Sequence, residues 1–120
     1  MRMYETSLTR AKIAEKAQRW PEAAIYFTKA NTARNEPWTA ERAAHAMCMA
    51  GTDLRQAALL AEKAVLAEPK NAGYRVTLGE IYLAAKMFAR AGGEASRALA
   101  LAPEDRRAKA LAASIAKSKR

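Results

Sequence analysis

A displacement of 34 residues brings this chain into register with itself, and nothing else in the sequence constrains its fold as strongly. Ala23, Ala57 and Ala91 coincide, as do Ala30, Ala64 and Ala98. The bulky residues Trp20, Leu54 and Phe88 share a register, and Pro69 and Pro103 are one period apart. Ladders with a common period imply three copies of one unit. A unit this small cannot bury its apolar face alone, so such chains gain stability by stacking neighbours, and the stack offers an extended surface.

The repeat is helical. Alanine, the strongest helix former, dominates the hydrophobic fraction, and strict alternation of Val, Ile, Thr and aromatics is absent. The expected class is all-α, one domain over residues 1–120. In the third unit Tyr74, Leu78, Ile81 and Tyr82 recur at helical spacing, a break falls at Ala85-Lys86-Met87, and Phe88, Ala91, Ala95, Ala98, Leu99 and Leu101 resume it. Pro103 ends that run, because proline cannot continue a helix interior. The second unit runs from about Trp38 to Met49, turns at Gly51-Thr52-Asp53, and continues from Leu54 to Ala67. The first turns at Arg19-Trp20-Pro21, with Pro21 in a first helical turn where its missing N–H costs little. Asp53, Asn71 and Asn35 are expected helix caps. Linkers of a few residues make successive helices antiparallel neighbours. Gly92-Gly93 falls inside a helix, where it reads as a close approach of the terminal helix or, alternatively, as a bendable segment.

Charge and cysteine content narrow the functional classes. The net charge is +9, yet residues 38–71 and 72–105 each balance four basic against four acidic groups. Residues 106–120 carry six basic groups and no acid, so the excess collects at the end of the chain. That suits a solvated last helix, since cations near a C-terminus complement its dipole. Cys48 is the only cysteine, which points to a reducing compartment, the cytoplasm. The residues from Met1 to Glu5 lead into no apolar run of signal-peptide kind, and no stretch approaches the ~18 apolar residues of a membrane span.

Glu41, His45 and Cys48 share one helical face and are zinc-ligand types. One short face rarely supplies three ligands, and no third group orients His45 for a Cys–His nucleophile. They read as packing residues, with no cofactor, no metal and no enzymatic activity implied. Trp20, Trp38 and Tyr74 likewise read as packing residues at unit boundaries. With aromatics at 7% and none interleaved with the basic cluster, base stacking is not indicated.

The pattern resembles the tetratricopeptide repeat. Leu78, Gly79, Tyr82, Ala91, Ala98 and Pro103 stand where that family places those residue types, and residues 72–105 match best. Residues 38–71 keep Ala57, Ala64 and Pro69, and residues 4–37 keep Ala23, Phe27 and Ala30. The resemblance implies a right-handed α-solenoid of three helix hairpins closed by a capping helix over 104–120, seven helices in all. Ala108, Leu111, Ala112 and Ile115 would form the cap's apolar stripe, with Arg106, Arg107, Lys109, Lys117 and Lys119 facing water. It further implies a concave groove lined by Lys12, Lys16 and Arg42 on its basic side, with Glu80 beyond them, and by Met49, Val76 and Leu83 on its apolar side. The places of the chaperone-carboxylate clamp known in this family hold Leu8, Lys12, Ala43, Gly73 and Thr77, so that clamp is absent. The implied function is a peptide-binding protein-interaction scaffold acting as a monomer. Two alternatives remain: the docking region of a larger multidomain protein such as a co-chaperone, or a hold on acidic or nucleic-acid partners by the basic terminal helix.

Overall fold

Caps, turns and prolines set the boundaries of the helices in the computed structural model, which describes residues 2–118. The elements are α1 (Arg2–Lys16), α2 (Trp20–Ala33), α3 (Pro37–Ala50), α4 (Leu54–Ala67), α5 (Ala72–Ala84), α6 (Phe88–Leu101) and α7 (Arg106–Ser118). No strand occurs among the described residues. Met1, Lys119 and Arg120 lie outside them, and with them the expected exposure of Lys119.

Local chemistry explains most ends. Asp53 accepts the Gln56 N–H at 3.2 Å and Asn71 the Tyr74 N–H at 3.0 Å. One period beyond Asn71, Asp105 accepts the Ala108 N–H at 2.8 Å. Each side chain thereby satisfies a donor that the first helical turn leaves open. The expected cap at Asn35 does not form. Pro37 opens α3, which makes Glu36 the N-cap residue, and its side chain makes no capping bond. Within units, Gln18 and Lys86 lie two periods apart and both adopt positive φ, at 59° and 62°. In the second unit α3 turns one residue earlier, at Gly51, whose φ of 71° glycine adopts without steric cost.

The alanine ladders are the seams of the stack. Ala23, Ala57, Ala91, Ala30, Ala64 and Ala98 are all fully buried. Their small side chains let helices approach closely, and Phe27, Val76 and Ile81 fill the wider gaps. Each hairpin pairs antiparallel helices (α1 with α2, α3 with α4, α5 with α6), and α7 lies on the last pair. First helices also touch one another, α3 on α5 and α5 on α7, whereas no comparable contact joins α2 to α4 or α4 to α6. Helices closer together on one side than on the other make a curved stack, with the first helices inside. The result is elongated, 46 × 25 × 23 Å.

The closest approach to a glycine is at Gly79, not at Gly92-Gly93. A Cβ on Gly79 would meet Leu111 Cδ2 of α7 at 2.5 Å and Glu94 Cβ at 3.4 Å. A Cβ on Gly92 would meet nothing within 4 Å, and on Gly93 only the side chain of Arg97. The pair therefore weakens α6 by about 1 kcal/mol per glycine with no internal packing in return.

Candidate functional site

The inner face is built by α1, α3, α5 and α7, and its floor is a chain of polar contacts crossing all four. Arg42 of α3 donates to Glu15 of α1 at 2.6 Å and, through two nitrogens, to Glu41 at 2.7 and 2.9 Å. Glu41 in turn accepts from the Thr77 hydroxyl of α5 at 2.5 Å. Arg107 of α7 reaches back to Thr77 at 3.3 Å and to Glu80 at 2.7 Å. Buried carboxylates and hydroxyls are tolerated only when so satisfied, and here the partners come from successive units. Burial is the largest influence on Glu41 and pushes its carboxyl up, but the hydrogen bonds and charge of Arg42 and the Thr77 hydroxyl together hold it below the ordinary value. The same hydrogen bonds raise Arg42 against the opposing effect of burial.

This floor changes the expected groove. Arg42 is half-buried and paired twice, so its charge is already answered. Val76 is 0% exposed and belongs to the core, not to the lining. Val76 packs in the core cluster, while Thr77 beside it reaches Glu41. Met49, seven residues from Arg42 and hence on the same face, is 52% exposed. Leu83 shares Met49's register and is half-buried, packed against the core. Glu80 is held by Arg107. Lys16 is exposed, and so is Lys12, whose ammonium lies 5.7 Å from the centre of the Trp38 ring. The inner face thus offers Lys12, Lys16, Met49 and part of Leu83, over a floor of paired charges.

The pairing has a signal in the sequence that helical periodicity alone does not reveal. Glu15–Arg42 and Glu80–Arg107 are both 27 residues apart, one period less two helical turns. Opposite charges at that spacing face each other across successive first helices. Arg106, Arg107, Lys109 and Lys117 are exposed, as the stripe of the cap requires; Arg107 also reaches Glu80, and Lys109 pairs at the surface with Glu104 at 2.8 Å. Of the described tail cations, Arg106 and Lys117 form no ion pair.

The positions of the carboxylate clamp are unsuited to it: Ala43 and Thr77 are buried, Leu8 is half-buried and Gly73 has no side chain. Glu41, His45 and Cys48 do not converge. Glu41 serves the polar floor, while the His45 ring packs edge-on against Trp20 at 5.4 Å. Burial lowers the imidazole to about 4, helped by Arg42 and Arg107 and opposed by Glu41. Burial and the nearby Glu80 push the Cys48 thiol up to about 11, which leaves it protonated at neutral pH. No helix among the described residues is long and apolar enough to cross a membrane.

A sequence model of the tetratricopeptide repeat family matches residues 49–115. No curated protein matches the chain in sequence. Solved structures share its fold. The TPR domain of Arabidopsis OM64 superposes with a TM-score of 0.82 at 22% identity, covering 98% of this chain and 97% of that one. The first TPR domain of Spaghetti (RPAP3), bound to an HSP90 peptide, gives 0.84 at 18% identity over 98% and 93%. The TPR2B domain of yeast Sti1, in complex with an Hsp70 peptide, gives 0.83 at 16% identity over 98% and 99%.

Proposed function

The chain belongs to the tetratricopeptide repeat family, and from that premise we propose that it is a non-catalytic scaffold holding a short segment of a partner protein in its concave groove. The observation that carries the reading is the exposure of Met49, Lys12 and Lys16 on a face where Glu15, Arg42, Glu80 and Arg107 are paired among themselves. The ligand is a segment with an apolar anchor over Met49 and Leu83 and acidic groups toward Lys12 and Lys16. Similar folds in other proteins hold HSP90 and Hsp70 peptides, which supports a peptide ligand here. The residues at the clamp positions argue for a different peptide chemistry. Repeats over 4–37, 38–71 and 72–105 with a cap over 104–120 form one domain on this reading, and the lone free cysteine favours the cytoplasm.

Selection from a random displayed-peptide library against the intact chain tests this. Selected peptides are expected to be acidic and to bind Met49→Glu and Lys12→Glu at least tenfold more weakly, with helical circular dichroism unchanged. Peptides that bind both variants as well as the parent protein would remove the groove as the site.

A further inference from the structure

The outer face repeats a cleft. One cleft lies beside α2, where Ala24, Ile25 and Met47 line it; the next lies beside α4, lined by Ala58, Leu59 and Ile81. Each of these residues has its counterpart 34 positions on, so the two clefts are copies, each of about 480 Å³. They open where successive second helices stand apart, no substantial contact joining α2 to α4 or α4 to α6. Beside each stands an exposed apolar side chain, Ile25 at 53% and Leu59 at 55%. The same register in α6 is Gly93, which leaves the surface bare where a third side chain would stand.

The clefts carry three cations against two carboxylates, Asp53 and Glu62. Lys29, Arg55 and Arg90 line them, and among the described residues none of the three has a carboxylate at ion-pair distance. The acids present are engaged: Asp53 caps α4, and Glu62 accepts the Tyr82 hydroxyl. Adjacent packed helices lie about 8–10 Å apart, and splayed ones somewhat more. Two turns of an α-helix advance about 10.8 Å. Gly92 and Gly93, which no internal contact requires, would let a partner's backbone come close over α6.

We propose that this outer face is a second docking surface, for an acidic amphipathic helix of a partner protein that seats large apolar side chains two turns apart in the paired clefts. Its carboxylates meet Arg55 and Arg90, and its backbone crosses the bare surface of α6. This site is separate from the groove and stands whether or not the groove binds a peptide.

The test uses an 18-residue, end-capped, Glu-rich helical peptide with two leucines two turns apart and no other large apolar residue. It is titrated into the isotopically labelled full chain while amide resonances are followed. Expected are shifts centred on Ile25, Leu59 and Met87. Binding should be at least tenfold weaker for Leu59→Asp and for Arg55→Glu, both exposed positions whose variants should keep their helical circular dichroism, and at least fivefold weaker for the peptide with Gln in place of Glu. No shifts at millimolar peptide, shifts confined to the groove around Met49 and Leu83, or equal binding of the Gln peptide would each overturn the proposal. So would sedimentation showing that Leu59→Asp abolishes a dimer of the chain, since the occupant would then be a second copy.

Discussion

At His45, burial and two guanidiniums act in one direction and a single carboxylate in the other. The imidazole's proton affinity falls from its ordinary 6.5 to about 4. Between those values the unfolded chain binds a proton that the folded chain refuses, so stability falls as the pH drops through that window. One pKa unit is worth about 1.4 kcal/mol, and partial exposure of the ring reduces the full effect, so roughly 1–2 kcal/mol should be lost between about pH 7 and pH 5. Glu41 does not confuse the measurement. Its carboxyl is held below 4.5, so its contribution is intact above that pH and is lost only as the pH falls further. Urea unfolding of the parent chain and of His45→Gln at the two pH values checks this. The parent should lose stability and the variant should stay nearly level; equal slopes would mean that the ring is protonated in the folded state. The composition of this cluster was legible in the sequence, and its packing role was argued from the helical face. Its partner Trp20, 25 residues away on another helix, was not, because edge-on ring contacts follow no fixed spacing.

Glycine placement separates helices that need a missing side chain from a helix that merely tolerates it. Gly79 of α5 lies under Leu111 of α7, a buried leucine with little room to turn aside. Gly79→Ala should lower the melting temperature, since forcing a methyl group into a packed contact costs about 1–3 kcal/mol and exceeds the gain of about 1 kcal/mol in helix propensity. Gly92→Ala in α6 adds a methyl group to open space and should raise it by a few degrees. Thermal melts of the two variants should therefore shift in opposite directions, and a stabilised Gly79→Ala would show that α7 yields easily. The position of Gly92-Gly93 inside a helix could be read from the sequence; which helix lies opposite could not, since that depends on the rotation of α6 about its axis. Caps divide in the same way. Asp53 and Asn71 are readable because the bond is local, spanning three residues, whereas Asn35 caps nothing because Pro37 begins α3 itself.

The curved stack follows from the 34-residue period and the alanine seams, which is why the architecture could be read before the structure. The groove was only half readable: register places Met49 and Lys12 on the inner face, but it cannot say that Val76 is swallowed by the core or that Arg42 is spoken for by Glu15 and Glu41. What closes the array is a separate question, and magnitudes decide it. The cap contributes Ala108, Leu111 and Ile115 to the core, and it contributes Arg107 to the ion pair with Glu80. Burying a Leu or Ile is worth about 1.5–3 kcal/mol each. A partly exposed ion pair is worth about 0–1 kcal/mol. The apolar stripe, and not the charge, should therefore hold the end of the stack. A chain ending at Ala102 should lose about 3–6 kcal/mol in urea unfolding, with a shallower transition because less surface is exposed. Arg107→Ala should cost no more than about 1 kcal/mol. If Arg107→Ala proves as damaging as the truncation, the polar floor of the groove, and not the seam beneath it, is what fastens α7 to the units it covers.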